Sequence, residues 1–386
     1  MSQAMTPTIK VIDGGFLTTV QDLGRPGYQR FGVPVSGGMD QYAMRIANLL
    51  VGNDEGCAVL EITLLGPILT FSSKARIALT GSDLGAAIDG NPIGPWRSVD
   101  IPKGSTLSFL GRRSGARSYL AVSGGLDVLE VMGSRSTSIR ESIGGLQGRP
   151  LEKGDTLQAF QSKTGLPLIA VPNLHIYDYS DTQRVRVILG PQQENFTKQA
   201  IKTFLSESYE ISNDCNRIGI RLVGPKLSHK SGPDIISDGT SFGSVQVPGD
   251  GMPLILMADR GTTGGYAKIA TVITPDLWKL SQVLPGNNVT FESVTTKEAV
   301  AINKRREAEI SNLKELIARI CELPLPSPRV LVDGHAYLVH DGLGTVIARP
   351  TKLVGEFLTS KQHLQVTSKD MSYSFSVELQ VPFCAI

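Results

Sequence analysis

Short runs rich in apolar residues, separated by turns, fill the chain between residue 58 and about residue 157. The clearest runs cover residues 58–64, 75–79, 106–110 and 118–122. Short apolar runs bounded by turn residues are typical of β-strands. Several short strands without long helices between them favour a closed or sandwiched sheet.

One helix is predicted before these strands, over residues 39–50. Its apolar residues recur every third or fourth position, as expected for one buried helix face, at Ala43, Ile46, Ala47 and Leu50. Asp40 is placed to cap its first turn, and Gly52-Asn53 is placed to end it.

The pattern of strands restarts after a proline-bearing segment at residues 165–172, which we interpret as a linker. We predict a helix over residues 192–205, and strands at 184–189, 218–223, 245–247, 254–258 and 269–273. Leu64-Leu-Gly-Pro-Ile-Leu69 and Leu222-Val-Gly-Pro-Lys-Leu227 share the pattern L-x-G-P-x-L. This echo fits two related β domains in tandem, although two short matches also arise by chance.

A long amphipathic helix is predicted over residues 297–322. Thr295 and Glu298 form the T-x-x-E pattern of a capping box, and Pro324 ends the helix. We expect this helix to lie on a β domain rather than to bind a partner. Beyond it, β-like runs at 336–339 and 375–381 predict a small appended module.

Composition and charge agree with this picture and exclude several classes of protein. The 386 residues include 41 glycines and 22 prolines, which suit frequent turns between short strands. The formal charge is +2, and the basic triplet Lys304-Arg305-Arg306 is followed at once by acidic residues. We therefore expect no nucleic-acid binding, and interpret the triplet as a solvated helix face.

The cysteines and the hydropathy predict a cytoplasmic protein. None of the four cysteines forms a C-x-x-C pair, and the five histidines do not cluster around them, so we expect no structural zinc site. No apolar stretch reaches about 18 residues and no signal peptide is evident, so we expect no membrane segment and reduced thiols.

Three glycine-rich stretches carry the residues best suited to chemistry, at 18–28, 132–145 and 258–266. In the third, an apolar strand leads to Asp259 and Arg260, and Thr262-Thr-Gly-Gly265 is predicted to form a turn with exposed N–H groups. A carboxylate can accept an amide N–H or act as a base, while a guanidinium and backbone N–H groups can stabilise an oxyanion. The alternative is that Asp259 and Arg260 form a local salt bridge that only stabilises a tight turn.

Other motifs exclude or leave open further activities. The chain lacks the G-x-x-x-x-G-K-[ST] segment of a phosphate-binding loop, so we expect no ATP binding by this chain alone. Ser36-Gly-Gly-Met39 lacks the context of a nucleophile elbow and is interpreted as a turn. Arg217 shares a predicted strand face with Gly219 and Arg221, a face that meets either an anionic substrate or solvent.

Many of these segments resemble, in the same order, those of the family called allophanate hydrolase subunit 2, Kip-type kinase-inhibitor antagonist or the C subunit of 5-oxoprolinase. The resemblance begins with Thr19-Val-Gln-Asp-Leu-Gly-Arg-Pro-Gly-Tyr28. The further matching segments are residues 32–40, 48–53, 60–63, 66–67, 133–137, 144–145, 154–155, 216–222, 243–248 and 259–266.

The resemblance implies a mainly β fold with two tandem cyclophilin-like β-barrel domains, a few helices and a small C-terminal extension. We expect these domains at residues 8–164 and 173–295, the amphipathic helix at 296–323 and the extension at 324–386. The role of the extension is not predicted by the family pattern.

The resemblance also implies three alternative functions. The leading one is the C subunit of ATP-dependent 5-oxoprolinase, an enzyme that converts 5-oxoproline to glutamate and also contains A and Kip-inhibitor-like B subunits. In the second, the chain transfers a carboxyl group from carboxybiotin, held on a partner, to urea or a related amide. In the third, it binds a Kip-type kinase inhibitor without catalysis. We expect no cofactor on this chain alone, since no Met-Lys-Met biotinylation segment is present.

Both enzymes act on a planar amide, and this shared substrate chemistry predicts the roles of the site residues. We assign Asp259 to the amide N–H, and Arg260 with the segment Thr262, Thr263, Gly264, Gly265 to the amide oxygen. We expect Arg25, Arg140 and Arg217 to bind a substrate carboxylate or carbamate. Asp22 and Tyr266 complete the predicted substrate-binding residues, and no metal ligand is predicted.

Overall fold

The fold was obtained as a computed structural model. It describes residues 7–162, 167–171, 177, 179–322, 329–332, 335–338, 357–368, 371–382 and 384–385. The ends of the predicted linker, Gly165 and Pro172, lie outside these residues. The chain divides into two compact units, Met1–Lys163 with Tyr177–Asn312, and Thr164–Ile176 with Leu313–Ile386.

Two antiparallel sheets build the first β-rich half. Its twelve strands are β1 (Thr8–Asp13), β2 (Leu17–Gln21), β3 (Val59–Thr63), β4 (Ile68–Phe71), β5 (Ala75–Gly81), β6 (Ala86–Ile88), β7 (Asn91–Pro92), β8 (Arg97–Ile101), β9 (Thr106–Phe109), β10 (Arg117–Val122), β11 (Leu126–Asp127) and β12 (Thr156–Ala159). One sheet has the order β11-β12-β1-β4-β9-β6-β7, and in the other β2, β3, β10, β5 and β8 are successive neighbours.

Both sheets contribute to one hydrophobic core. Ile9 and Phe71 enter it from the first sheet, and Ile62, Ile77 and Leu120 enter it from the second, all fully buried. The strands predicted in this half are therefore present, and most of their apolar side chains are buried; Leu110, at the end of one predicted run, is an exposed exception.

Helix α1 (Gln41–Leu50) packs against β5 and β10. As predicted, Asp40 caps it, because the side chain of Asp40 accepts a hydrogen bond from the Ala43 N–H at 2.9 Å. The apolar face is buried, and Gly52 adopts φ +75°, which suits the chain reversal that follows.

A closed barrel forms the second half. Its strands are β14 (Thr182–Leu189), β15 (Tyr209–Cys215), β16 (Gly219–Val223), β18 (Ser244–Gln246), β19 (Leu254–Leu256), β21 (Lys268–Val272) and β22 (Asn288–Ser293), in the order β14-β21-β18-β19-β16-β15-β22. Parallel pairing of β14 with β22 closes it. The mainly β class is thus confirmed, and a second core fills the barrel.

Two predictions for this half need correction. The helix predicted over residues 192–205 is interrupted: a 3-10 turn at Gln193–Asn195 is followed by extended Phe196, and α2 spans Lys198–Ser206 with Thr197 as its cap. The predicted turn at 262–265 is wrong for most of its length. Strand β20 (Thr263–Tyr266) pairs there with β17 (Asp234–Gly239).

Helices α3 (Leu277–Ser281) and α4 (Thr296–Glu322) follow β21 and β22 in the chain. The predicted capping box of α4 is confirmed, since the Thr295 N–H donates to Glu298 and the Glu298 N–H donates to the Thr295 hydroxyl. None of the helices within the described residues has the length and apolar character needed to cross a membrane.

The second compact unit is also β-rich. Its strands are β13 (Ile169–Ala170), β23 (Arg329–Val332), β24 (His335–Leu338), β25 (Phe357–Ser368), β26 (Met371–Pro382) and β27 (Cys384–Ala385). Strands β24, β23, β26 and β25 form one sheet in that order, and β13 pairs with β27 in parallel. The predicted run at 375–381 lies on β26, and the run at 336–339 lies on β24 up to Leu338, its last residue being outside the described residues.

Candidate functional site

Asp259 lies just beyond the end of the apolar strand β19, at the boundary between the two β-rich halves. Its backbone N–H donates to the Arg217 carbonyl at 2.8 Å. Its carboxylate accepts two hydrogen bonds from the Arg217 guanidinium, at 2.8 Å from Nε and 2.9 Å from Nη2. This bidentate pairing fixes the carboxylate plane.

Arg217 also reaches the first half of the protein. Its Nη1 donates to Glu61 Oε1 at 2.5 Å, and its Nη2 donates to the Gly37 carbonyl at 2.7 Å. Only 4% of its surface is exposed. The alternative in which Arg217 faces solvent is therefore wrong.

Glu61 is the partner that the sequence analysis missed. It sits on β3 directly opposite Tyr119 on β10, and the Tyr119 hydroxyl donates to Glu61 Oε2 at 2.8 Å. The Met39 N–H donates to the same oxygen at 2.8 Å, and the Asp40 N–H donates to the Tyr119 hydroxyl at 2.7 Å. The start of α1 is thereby tied to the paired strands β3 and β10.

Opposing effects set the ionisation of this buried group of charges. Burial alone would raise the pKa of Glu61, but the guanidiniums of Arg217 and Arg117 hold it below its ordinary value. Burial would lower the pKa of Arg217, but Asp259 and Glu61 raise it. Glu61 is therefore held ionised, and Arg217 bridges carboxylates from both halves.

A second set of contacts crosses the same boundary through Gln282, which follows α3. Its amide nitrogen donates to Asp40 Oδ2 and to the Arg117 carbonyl, both at 3.0 Å. Its amide oxygen accepts from the N–H groups of Ala116 and Arg117, at 2.9 and 2.8 Å. Burial raises the pKa of Asp40 to about 6.

Arg260 is a buried guanidinium without an ion pair to a carboxylate in the described part of the chain. Its Nη1 donates to the Met257 carbonyl at 3.2 Å, and its Nε lies 3.5 Å from the Thr240 carbonyl. The ring of Phe242 lies 5.8 Å from its central carbon. Burial lowers the pKa of Arg260 to about 10, although the charge of Asp259 opposes this.

Arg25 is fully buried, at 0% exposure. Its Nη2 donates to the Ser136 carbonyl, whereas Nε and Nη1 find no hydrogen-bond partner among the residues that the structure describes. Burial lowers the pKa of Arg25, and the charges of Asp22, Asp259 and Glu141 oppose this. Asp259 thus interacts electrostatically with Arg25 as well as with Arg217 and Arg260.

Asp22 holds a loop of the first half in place. It accepts hydrogen bonds from the Ser134 and Ser136 hydroxyls and from the N–H groups of Arg135 and Gly24. Three of these donors converge on Oδ1, and the Arg135 N–H donates to Oδ2. The geometry gives Asp22 a bracing role, and its contact with substrate stays a prediction.

The remaining predicted residues are mostly exposed or lie on the paired strand β20. The Arg140 side chain is 66% exposed, with Glu141 at 3.9 Å. On β20, Thr263 pairs with Gly239, and Gly264 pairs with Asp238. Thr262, Gly265 and Tyr266 are partly or largely exposed. Asp259, Arg260, Arg217 and Arg25 are therefore the predicted residues that the fold brings together.

A sequence signal for the missed Glu61 does exist. Glu61 stands inside Val59-Leu-Glu-Ile-Thr63, a strand buried along its whole length. Glutamate is almost never fully buried unless it is paired, so its position there indicates a buried cation elsewhere in the chain. No group of residues suited to holding a metal ion occurs among the described residues.

Comparison with known proteins shows the family to which the chain belongs. Residues 31–293 match the model of the family described as carboxyltransferase domain, subdomain A and B. The chain belongs to this family. The matched residues include Glu61, Tyr119, Arg217, Asp259 and Arg260.

Two related proteins and one solved structure show which members of the family the chain is similar to. The C subunit of 5-oxoprolinase from Escherichia coli is 36% identical over 305 residues, which cover 79% of this chain and 97% of that protein. The urea amidolyase of Saccharomyces cerevisiae is 35% identical over 79% of this chain, but only over 18% of its own length. The crystal structure of the K. lactis urea amidolyase matches 81% of this chain and 20% of that chain, with 31% identity and a TM-score of 0.74.

Proposed function

We propose that this chain is the C subunit of a 5-oxoprolinase, in which 5-oxoproline is opened to glutamate with the use of ATP. The observation that carries the proposal is the 36% identity to the corresponding E. coli protein, over 97% of its length. Since a fold by itself hosts many activities, the site must supply the chemistry.

Asp259 supplies the acceptor for the amide N–H of the substrate. Each of its two oxygens accepts one hydrogen bond from Arg217, which leaves about two acceptor positions on the carboxylate. Because Arg217 holds the carboxylate on both oxygens, its direction is set before substrate binds, and little reorganisation is needed.

Arg260 supplies the positive charge for the amide oxygen. Amide opening places negative charge on that oxygen, and a guanidinium in a site closed to water stabilises such charge more strongly than in solution. Arg260 is suited to this role because it is buried next to Asp259 in the chain and its described hydrogen bonds go to carbonyl groups rather than to a carboxylate. Thr262 and β20 follow Arg260 in the chain, and we assign Thr262, Thr263, Gly264, Gly265 and Tyr266 to the same substrate-binding site.

The proposal assigns the remaining functions to partner proteins. We expect the A and the Kip-inhibitor-like B subunits of such an enzyme as partners, ATP bound by the assembly, and no turnover by this chain alone. A cytoplasmic location fits an enzyme that uses ATP and a small amide.

The decisive experiment is an assay of ATP-dependent glutamate release from 5-oxoproline by the chain purified with its candidate A and B subunits. We expect glutamate only when all three proteins and ATP are present, with each single omission as a control. Release that continues without this chain would contradict the proposal.

A carboxyltransferase is the second candidate, supported by the family model and by the urea amidolyase relatives. The same purified chain, given a carboxybiotin carrier and urea, would then form carboxylated urea. This outcome, together with absence of glutamate release, would replace the first proposal.

A further inference from the structure

Three arginines are candidates for binding an anionic group of the substrate, and they differ in how their N–H groups are used. All three nitrogens of Arg217 are committed, to Asp259, Glu61 and the Gly37 carbonyl. Arg140 is mainly exposed to solvent, where an ion pair contributes little. Of the three, Arg25 is the one that is fully buried with two nitrogens unpaired within the described part of the chain.

An unpaired guanidinium in the protein interior is costly, because its N–H groups have lost water without gaining an acceptor. None of the described carboxylates near Arg25 satisfies it. Both oxygens of Asp22 accept from hydroxyl or backbone donors other than Arg25, and Asp259 is held by Arg217. A group that brings its own acceptor oxygens would complete the site.

The surroundings of Arg25 fix its position. Its Nη2 donates to the Ser136 carbonyl. Gly144 packs so closely on it that a Cβ atom there would lie 2.6 Å from Nη2. The guanidinium is therefore held from one side, and Nε and Nη1 remain for a ligand.

The lack of direct ion pairs points to an anion. The charge of Asp259 acts on both Arg25 and Arg260, yet neither forms an ion pair with a carboxylate among the described residues. Asp259 already accepts from Arg217, and the charges of Asp22 and Glu141 act on Arg25 without a hydrogen bond to it in the described part of the chain. A neutral ligand would leave both guanidiniums without a direct ion pair, whereas a carboxylate would supply one.

We propose that Arg25 is the receptor for a carboxylate that the substrate carries beside the amide N–H bound by Asp259. The inference rests on the proposed function, and it selects amides of the 5-oxoproline type over neutral amides such as urea. Because Arg25 is closed to solvent in this structure, the substrate must displace part of the glycine-rich loops around it on entry.

Two lactams that differ only in the carboxylate provide the test. Calorimetric titration of the chain with 5-oxoproline and with 2-pyrrolidinone should show roughly tenfold to hundredfold tighter binding of 5-oxoproline, as for a charge-assisted hydrogen bond. In Arg25→Gln this preference should disappear, while Arg184→Gln, at an exposed arginine, should keep it. If the isolated chain binds neither lactam, the same titrations are made on the assembled enzyme.

Equal affinity of wild type for the two lactams would overturn the proposal, as would absence of binding in both preparations. So would a preference that survives in folded Arg25→Gln. Where Arg25→Gln does not fold, a crystal structure of the wild-type complex with 5-oxoproline decides, since its carboxylate must lie within hydrogen-bond distance of Arg25.

The outcomes also separate this inference from the proposed function. Glutamate release with an unchanged preference in Arg25→Gln would reject the receptor and leave the function standing. Arg25-dependent binding of carboxylated lactams without glutamate release by the assembly would reject the function and keep the receptor.

Discussion

Arg217 and Glu61 form an ion pair at 2.5 Å although 156 positions separate them in the chain. One residue belongs to the barrel and the other to the two-sheet half, and both are almost completely buried. Arg217 simultaneously pairs with Asp259 in its own half. The boundary between the halves is therefore built around a guanidinium shared by two carboxylates.

Removal of this guanidinium should strongly destabilise the fold. In Arg217→Gln the buried Glu61 and Asp259 lose their hydrogen-bonded counter-charge, and breaking a buried pair in this way costs about 3–5 kcal/mol. The matched control is Arg184→Gln, where the pair with Glu292 is solvent-exposed and worth less than about 1 kcal/mol. Denaturant unfolding of both variants measures the difference, and equal losses would contradict the role of the shared guanidinium.

Asp40 should make stability depend on pH in a defined window. Burial raises its pKa to about 6, whereas an unfolded aspartate titrates near pH 4. The folded protein thus keeps this proton over a range where the unfolded chain has lost it. Stability from this group is fully present below about pH 4 and is lost as the pH rises through about 6, a change of about 3 kcal/mol.

The variant Asp40→Asn isolates that contribution. Asparagine caps a helix about as well as aspartate but does not titrate. The unfolding free energy of wild type relative to Asp40→Asn should therefore fall by about 2 kcal/mol between pH 4 and pH 7, since about half of the unfolded aspartates are already ionised at pH 4. A difference between the two proteins that stays constant over this range would show that Asp40 is not the titrating group.

Local features of the fold could be predicted from sequence, because they depend on neighbours in the chain. The Asp40 cap of α1, the capping box of α4 and the apolar face of α1 follow from residues three or four positions apart. The strand at 263–266 could not be predicted from its own glycines, because it exists only through pairing with β17.

The centre of the site depended on contacts between distant segments. Asp259 and Arg217 were recognised singly, but their pairing, and that of Arg217 with Glu61, arises from the packing of two halves. Tyr119 and Gln282 were missed because a tyrosine in a strand and a glutamine after a short helix carry no local signal. Their partners lie on other elements.

Close packing of Gly144 on Arg25 predicts a steric effect that can be separated from backbone strain. In Gly144→Ala the new methyl would lie 2.1 Å from the Ser136 carbonyl oxygen and 2.6 Å from Arg25 Nη2. Gly133→Ala is the control, because Gly133 has a similar φ, +74° against +70°, but no described atom within 4 Å of its Cβ position. Both variants carry the strain of a left-handed alanine, of about 1–2 kcal/mol.

We therefore expect Gly144→Ala to be less stable than Gly133→Ala by a further 1–3 kcal/mol or so, the usual range for overpacking. Thermal unfolding of the two proteins under one set of conditions provides the comparison. Equal melting temperatures would mean that the loop relaxes away from Arg25 at little cost.

Asp259→Asn tests catalysis most directly, because it keeps the shape of the side chain and removes its charge. Asparagine presents one acceptor oxygen and one N–H₂ group, so it cannot accept from Arg217 on both atoms and from a substrate amide as well. We expect glutamate release by the assembled enzyme to fall at least a hundredfold, mainly in kcat, when each protein is assayed below its melting temperature. Arg184→Gln should keep wild-type activity. An Asp259→Asn enzyme that is folded, assembled and still within a few fold of wild type would show that Asp259 serves only to hold Arg217.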